Sequence, residues 1–457
     1  MKPKLLNNPN YAAKVKELPD PVAHPNAERL EGFNIDGSIV WYSKGLLKKG
    51  DVVIFFPVEC QINPSILSYL NLFAEKSLNV DKTKTGYFDS KGRVKALRLR
   101  GEPSEGFILP IVHFYNALVG EDLKNHPSKY PENNTIFDDI EGTWICKKYI
   151  PAPAKNSGSR NTKEKIKISD IIIENQFRFH YDTEKLQNNL EQINPNDWIV
   201  ITKKLHGTSA VFANVLTRRK LNIREKIAKL FGVNIPTEEY TKMYSSRSVV
   251  KSIAGKYHTS KQGYYNNDIW GLCYEAIKDK IEPGVTLYGE IVGYLPGGKM
   301  VQKDYDYGYE ESKTECVYNV NYGFHVYRIT YTNSQGDVLE YTWEQLKSYC
   351  KKHILQHVPE IFNGVAMSYT YGVEDNVEQW RQEFLEKLKR DVSFEMEQLD
   401  SMCKNDVPAE GICIRRETKN IKAFKLKCFR FLEKETAELD SARIDLETQE
   451  KDESNTE

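Results

Sequence analysis

The sequence predicts an α+β fold with antiparallel sheets, organised as a small β-rich module followed by a larger mixed domain. Strand-like runs dominate the first 150 residues, and strands and helices then intermix in the order β, α, β. That order favours antiparallel sheets over the regular strand–helix alternation of a doubly wound parallel fold. Neither a Gly-x-Gly-x-x-Gly run after a strand nor a Walker loop occurs, so the parallel nucleotide-binding folds lack support.

Residues 1–150 form the predicted module. Its short apolar runs are bounded by Gly, Pro and Asp, as strands usually are, and they cover Ser38–Tyr42, Asp51–Pro57 and Gly106–Ile111. Charged and apolar residues also alternate along Gly92–Arg100, with a slip in the middle of the run. A bulge at the slip would place the four cations on one face, as a nucleic-acid surface requires. A solvated strand face explains the pattern equally well, so both interpretations stay open.

A polar, basic stretch separates the two parts of the chain. Residues 151–166 contain Pro, Asn, Ser and Gly with little apolar content, which predicts a basic linker. Residues 167–432 form the predicted mixed domain, and residues 433–457 an acidic tail that begins as a helix and ends disordered. Within the domain, apolar residues at helical spacing predict two helices that cover the core, Trp343–Ile354 and Val377–Leu388.

Composition excludes several classes of protein. The net charge is zero, yet residues 433–457 hold ten acidic and three basic residues, so the rest of the chain carries a net charge of +7. No run of apolar residues is long enough to span a bilayer. The eight cysteines include no Cys-x-x-Cys pair, which favours reduced thiols over a disulfide framework or a zinc site. We therefore expect a soluble, cytoplasmic protein, and a monomer.

A lysine that directly follows a predicted strand is the first candidate for chemistry. The run Lys204-Leu-His-Gly-Thr-Ser209 follows the strand that ends at Thr202. A lysine at a strand end, followed by a glycine turn, can direct its amine into a cleft, where the neutral amine is a nucleophile. The Lys-x-x-Gly pattern alone is weak, because a chain of this composition contains it by chance.

The residues that follow Lys204 in order strengthen this interpretation. They are Ser245-Ser-Arg247, Tyr288-Gly-Glu290, Phe324-His-Val-Tyr327, Glu410-Gly411 and Lys425-Leu-Lys427. Lys425 and Lys427 are two apart on a predicted strand and so face the same side. Together the set supplies an amine, two carboxylates, an aromatic ring and two lysines. These groups suit nucleotidyl transfer, where charge builds on a phosphoryl group and must be neutralised.

The ordered set resembles the motifs of ATP-dependent RNA ligases in the covalent nucleotidyltransferase superfamily. His206 supports RNA ligases in particular, because DNA ligases and capping enzymes of the superfamily usually have Asp at this position. Phe177–Thr183 resembles the segment that precedes the nucleophile in such ligases. Lys203 is a departure, since many of them have Glu there. The resemblance implies a ligase-type adenylyltransferase domain with antiparallel sheets.

The N-terminal module has a likeness of its own. His24–Leu30, Lys49–Asp51 and Arg100–Gly106 resemble OB-like modules. An OB-like β-barrel that binds nucleic acid, placed ahead of the transferase domain, is similar to the arrangement in Deinococcus-type RNA ligases. Removal of residues 1–150 is therefore expected to spare AMP attachment and to impair sealing of RNA.

The resemblance implies a role for each residue. Lys204 attacks ATP and carries AMP, which passes to an RNA 5′-phosphate and is displaced by a 3′-hydroxyl, in RNA repair. Glu290 and Glu410 hold Mg²⁺ or Mn²⁺, and Lys425 and Lys427 hold the α-phosphate with a catalytic role. The cofactor-binding residues that the resemblance implies are Lys204, Arg247, Glu290, Phe324, Lys425 and Lys427. Of these, Phe324 stacks on adenine and Arg247 lies near the ribose or the RNA 3′ end. Glu290 contacts the ribose or metal-bound water.

Two other functions remain open. The first is a DNA ligase or a capping-type nucleotidyltransferase, which uses the same chemistry on another substrate. The second is an RNA-binding protein that has an OB module and an inactive transferase domain. The presence of both carboxylates and all three lysines of the set argues against the inactive form.

Overall fold

The computed structural model describes residues 3–119, 130–151, 167–259, 268–296, 298–308, 322–370, 376–392 and 399–441. The predicted linker lies outside the described residues except for its first residue, and so does the acidic tail beyond residue 441.

Short strands and two helices make up the N-terminal part. They are β1 Pro3–Lys4, β2 Ala13–Glu17, β3 Val22–Ala23, β4 Leu30–Ile35, β5 Ser38–Ser43, β6 Val52–Phe56, β7 Cys60–Ile62, α1 Pro64–Tyr69, β8 Ala96–Leu99, β9 Glu102–Glu105, β10 Phe107–Pro110, α2 Ile111–Val119, β11 Ile136–Phe137, β12 Asp139–Ile140, β13 Thr143–Trp144 and β14 Cys146–Lys148. The largest sheet has the order β10-β6-β2-β11, and buried aromatic residues such as Phe56, Phe114 and Phe137 pack together beside it. No closed barrel is formed within residues 3–119 and 130–151, so the OB-like barrel stays a prediction.

Strands and helices intermix in the C-terminal part, as predicted. The elements are β15 Glu184–Lys185, β16 Trp198–Lys204, β17 Thr208–Arg218, α3 Ile223–Leu230, β18 Glu238–Ser245, β19 Val250–Ile253, β20 Tyr257–His258, α4 Ile269–Ile277, β21 Val285–Gly293, β22 Tyr322–Thr332, β23 Val338–Glu340, α5 Trp343–His353, β24 Gln356–His357, β25 Glu360–Val365, α6 Ala366–Thr370, α7 Val377–Val392, β26 Gly411–Arg416, β27 Lys422–Lys427 and α8 Phe429–Asp440.

Two sheets form the frame of this part. One has the order β20-β19-β18-β17-β21-β22-β23, with β24 beside β22, and the other has the order β15-β27-β26-β16-β25. Apart from the parallel pairs β15·β27 and β22·β24, the strands of both sheets pair antiparallel. The predicted α+β class with antiparallel sheets is confirmed.

The two predicted helices are present and cover the cores. Thr342 caps α5 in a capping box with Gln345, which satisfies backbone amides at the first turn. On α7, Trp380, Phe384 and Leu388 are buried with the apolar residues of the five-stranded sheet. Both helices therefore pack apolar residues into the cores, as their spacing predicts.

Helix α8 begins inside the predicted domain and continues into the predicted acidic tail. Thr436 and Leu439 are buried, and the Asp440 carboxylate lies 2.6 Å from Arg93 Nη2 of the N-terminal part. The first eight residues of the predicted tail therefore belong to a docked helix that begins at Phe429. The acidic composition of this segment does not show that the buried Arg93 side chain will pair with the Asp440 carboxylate.

The cations of Gly92–Arg100 face protein carboxylates. Arg93 and Lys95 both contact Asp440, and Arg98 lies 3.2 Å from Glu433, also on α8. Neither interpretation of this run describes Arg93, which is buried against α8, or Lys95, which is half-buried there. Arg98 remains exposed, as a solvated strand face predicts.

Two other expectations concern the chain as a whole. No helix in the part of the chain that the structure describes has both the length and the apolar character to cross a bilayer. The cysteines within the described ranges form no disulfide.

Candidate active site

Lys204 ends strand β16 and lies beside Glu410. Lys204 pairs with Gly411 of the neighbouring strand β26, so the residue before that glycine is brought next to the lysine. The Lys204 Nζ lies 2.5 Å from Glu410 Oε1. Gly411 has a φ of +145°, and a Cβ there would lie 2.1 Å from the Leu426 carbonyl oxygen. Glycine is therefore required where Glu410 enters the site.

Glu410 is buried yet remains ionised. Burial alone would raise the pKa of its carboxyl, but the Lys204 ammonium, then His206 and Lys427, hold that pKa well below its usual range. The His206 Nδ1 lies 3.7 Å from Glu410 Oε2. The site thus contains a permanent negative charge that a cation can share.

Glu290 approaches the same site from the other sheet. It is buried on β21, opposite Ser209 of β17, and Ser209 Oγ donates to Glu290 Oε2 at 3.3 Å. Gly207 allows β17 to start this close to β21, since a Cβ there would lie 2.2 Å from the Ile291 carbonyl oxygen. The His-Gly-Thr-Ser run therefore places its serine on a predicted functional carboxylate.

Lys425 and Lys427 share one side of β27, as their spacing predicted, yet their environments differ. Lys427 Nζ lies 3.1 Å from Glu59 Oε1 and 2.9 Å from Glu435 Oε2. Although burial opposes it, these carboxylates hold the pKa of Lys427 well above its usual range. Burial, with the repulsion of Lys427 second, lowers the pKa of Lys425 to about 7. Lys425 therefore titrates near neutral pH, while Lys427 stays charged.

An open cleft joins these groups. Its lining brings together six of the seven predicted site residues, which are Lys204, Arg247, Glu290, Glu410, Lys425 and Lys427. Arg247 forms an ion pair with Asp182, which also accepts a hydrogen bond from Asn8 Nδ2 at 2.8 Å. Residues that are distant in sequence thus line one continuous surface.

Phe324 is the predicted site residue that does not line the cleft. Its side chain is 2% exposed and packs edge-to-face on Phe212 in the core. A platform for adenine needs an open ring face, so the assignment to Phe324 is corrected. Tyr327, three residues along β22, lines the cleft, as do His180 and Tyr181.

Sequence reasoning missed the charged wall near these rings. Arg328 Nη2 lies 3.0 Å from Glu340, and Arg415 Nη1 lies 3.3 Å from the same carboxylate. The Arg328 guanidinium also stacks over the Tyr181 ring at 4.8 Å. The sequence does carry a signal for Arg415. This residue lies two residues after Cys413 on β26, and residues two apart on a strand face the same side, which here is the side of the cleft. No such signal exists for Arg328, because its partners come from other strands.

The N-terminal part also contributes to the cleft. Tyr11, Glu59 and Lys148 are among its lining residues. The Lys148 and Lys185 ammonium groups lie 5.3 and 5.2 Å from the centre of the Tyr11 ring. Nothing in the sequence signals these residues, because the module and the domain meet only in the folded chain.

Comparison with known proteins identifies the family. Residues 197–427, just over half of the chain, match the RNA ligase family. The chain belongs to the RNA ligase family. The matched span contains every predicted site residue from Lys204 to Lys427. No curated protein sequence matches this RNA ligase significantly.

Solved structures share the fold over nearly the whole chain. The Naegleria gruberi RNA ligase with PPi has a TM-score of 0.52 and 18% identity, covering 93% of this chain and 98% of that one. A mutant of the same ligase with ATP and Mn gives 0.51 and 17%, with the same coverage. Another mutant, with AMP and Mn, gives 0.50 and 16%, covering 92% and 98%. At this identity the likeness shows a common fold, which includes the N-terminal part.

Proposed function

We propose that this RNA ligase consumes ATP and joins RNA 3′-hydroxyl and 5′-phosphate ends through a lysyl-AMP on Lys204 and an RNA-adenylate. The observation that supports the proposal is the 2.5 Å contact of Lys204 Nζ with Glu410, in a cleft that Lys425 also lines. A strand-end amine beside a fixed carboxylate, in a cleft that Lys425 and Lys427 line, suits attack on a phosphoryl group.

The first step follows from these residues. Lys204 gives up a proton to solvent and its Nζ forms a bond to the α-phosphorus of ATP. The bond between that phosphorus and the oxygen that bridges to the β-phosphate breaks, and pyrophosphate leaves. Negative charge grows on the phosphoryl oxygens in the transition state. Lys425 and Lys427 face one side of β27 and neutralise that charge.

The two carboxylates suit a divalent cation. Mg²⁺ is commonly held by one or two carboxylates together with substrate phosphates and water. Glu410 and Glu290 both line the cleft and both are buried and close to Lys204 or Ser209. Mg²⁺ or Mn²⁺ held there supplies positive charge to the triphosphate, and the residues present fit such an ion.

The remaining roles concern the base and the RNA. Tyr327, Tyr181 and His180 replace Phe324 as the candidates to stack on adenine, because their rings line the cleft. Arg247 contacts the ribose or the RNA 3′ end. The N-terminal module, residues 1–150, binds RNA, with residues 151–166 as the connection, and the enzyme acts in RNA repair.

Incubation with ATP labelled on the α-phosphate, with Mg²⁺ or Mn²⁺, followed by a denaturing gel tests the proposal. A labelled protein band that is absent from Lys204→Ala is the expected result. A band with GTP instead of ATP indicates capping-type chemistry. A folded protein that is free of bound AMP and gives no band with either nucleotide fits the alternative of an RNA-binding protein with an inactive domain.

A nicked duplex then separates RNA from DNA ligation. The labelled enzyme is expected to transfer AMP to the 5′-phosphate at a nick and to seal it when the 3′-hydroxyl strand is RNA. Sealing of an all-DNA nick at an equal rate contradicts the assignment to RNA.

A further inference from the structure

Glu59 of the N-terminal part contacts two lysines of the C-terminal part. Its Oε1 lies 3.1 Å from Lys427 Nζ, and its Oε2 lies 3.8 Å from Lys185 Nζ. These lysines belong to β27 and to β15, which pair in parallel with Lys185 opposite Lys425. One carboxylate from outside the matched family region therefore bridges two strands of the transferase sheet.

The backbone fixes this carboxylate in place. Glu59 N donates to the Val94 carbonyl at 3.0 Å, and the Glu59 carbonyl accepts from Tyr149 N at 3.0 Å. Glu59 also has a φ of +73°, a left-handed conformation that a non-glycine residue adopts at a cost. Glycine would adopt this backbone conformation with less strain, but it would lack the carboxylate that contacts the two lysines.

The module that supplies Glu59 is docked on the domain at separate places. Helix α8 contacts it through the Asp440 ion pair with Arg93. Asn10 Oδ1 accepts from Lys185 N at 2.7 Å, which ties the backbone of the second lysine to the module. A carboxylate on a docked, well-bonded loop can hold an ammonium group more firmly than one on a mobile loop.

Holding matters because long lysine side chains otherwise occupy many rotamers. Lys427 has one partner from α8, Glu435, and one from the module, Glu59. The ammonium group donates to one oxygen of Glu59 and to both oxygens of Glu435, and these hydrogen bonds together restrict its position. Loss of either partner releases the lysine from that geometry.

We propose that Glu59 is a positioning residue of nucleotidyl transfer, which acts by holding Lys427 toward the phosphate site, so that the N-terminal module forms part of the adenylylation machinery. This inference rests on the proposed function. It extends that function beyond RNA binding by the module, because AMP attachment itself then requires a module side chain.

A double-mutant cycle on the full-length protein tests the inference. The single-turnover rate constant for transfer of labelled AMP to the enzyme is measured at saturating ATP for Glu59→Gln, Lys427→Met and the double variant. Glu59→Gln is expected to lower the rate constant by about tenfold or more, as truncation of a buried charge pair does. In the Lys427→Met background, Glu59→Gln is expected to change it by less than about twofold, because both act through one group.

Two further variants separate positioning from folding. Glu59→Asp keeps the charge and is expected to recover most of the rate. Glu433→Gln removes a carboxylate that docks α8 on Arg98 outside the cleft and is expected to stay within about twofold of the wild-type rate, since exposed pairs contribute little.

The outcomes distinguish the two proposals. A wild-type rate in Glu59→Gln, or losses that multiply in the double variant, overturns the role of Glu59 while AMP attachment stands. Failure of Glu59→Asp to recover any rate likewise overturns it. Absence of any AMP adduct on the wild-type protein refutes the proposed function, and the role of Glu59 with it.

Discussion

Binding of ATP is expected to draw a proton into the cleft, and Lys425 is the reason. Burial, together with the positive charges of Lys427, Lys204 and Lys185, lowers the pKa of Lys425 to about 7, with Glu59 partly offsetting the effect. At pH 8 such a group is charged in roughly one molecule in ten. A triphosphate beside it favours the charged form and raises the pKa by about two units. Lys425 then becomes charged in about nine molecules in ten, which corresponds to uptake of about 0.8 proton per site.

Isothermal titration calorimetry measures that uptake directly. The α,β-methylene analogue of ATP, which cannot release pyrophosphate, is titrated with Mg²⁺ at pH 8 in buffers of different ionisation enthalpy. The slope of the observed enthalpy against the buffer enthalpy gives the number of protons bound. Lys425→Met is expected to reduce the slope to near zero. Lys422→Met changes an exposed lysine on the same strand and is expected to retain it. A wild-type slope of zero, or an equal slope in Lys425→Met, refutes the assignment.

Four more results are expected. Lys425→Met is expected to raise the free energy of unfolding near pH 7, and the difference from the wild type is expected to shrink toward pH 10. Between these pH values the unfolded wild-type chain binds more protons at Lys425 than the folded protein does, so wild-type stability rises by up to about 1.4 kcal/mol per pH unit. A stability difference that stays constant across this range contradicts the assignment. Glu410→Gln lowers the single-turnover adenylylation rate by about tenfold or more, since Lys204 loses its fixed partner, and a wild-type rate would exclude a role for Glu410. Asp440→Asn is expected to lower the unfolding free energy by about 1 kcal/mol in chemical denaturation, as for a half-exposed ion pair; no change would contradict the docking of α8 through Asp440. Deletion of residues 442–457 is expected to leave AMP attachment unchanged, and a large loss of attachment would contradict this expectation.

Much of the site was predictable because it follows from local rules. The period of two on a strand places Lys425 and Lys427 on one side. The glycines beside Glu410 and in the run after Lys204 mark close approaches of backbone, and the structure has them where those strands meet. The spacing of apolar residues also predicted α5 and α7, because helical periodicity depends only on residues that are close in the sequence.

What the sequence could not supply is pairing between distant segments. The alternation of side chains along a strand does not show which side of β22 faces the core. The sequence therefore could not show that Tyr327, and not Phe324, lines the cleft. The α8 carboxylates that pair with Arg93, Lys95 and Arg98 are more than three hundred residues away in the sequence. Likewise, the expectation that the module could be removed without loss of AMP attachment assumed an appended unit. Glu59 and Tyr11 in the cleft lining favour the opposite result.

The most direct test of the account is the location of the AMP. The protein is incubated with ATP and Mg²⁺, its intact mass is measured, and the modified peptide is sequenced by tandem mass spectrometry. A mass increase of one adenylyl group, carried on Lys204, is expected for the wild-type protein, and no increase is expected for Lys204→Ala. Lys203→Ala serves as the matched control and still acquires the group, because the Lys203 ammonium lies 3.6 Å from Asp400 and is engaged there. An adenylyl group on any other residue, or one that persists in Lys204→Ala, contradicts the account.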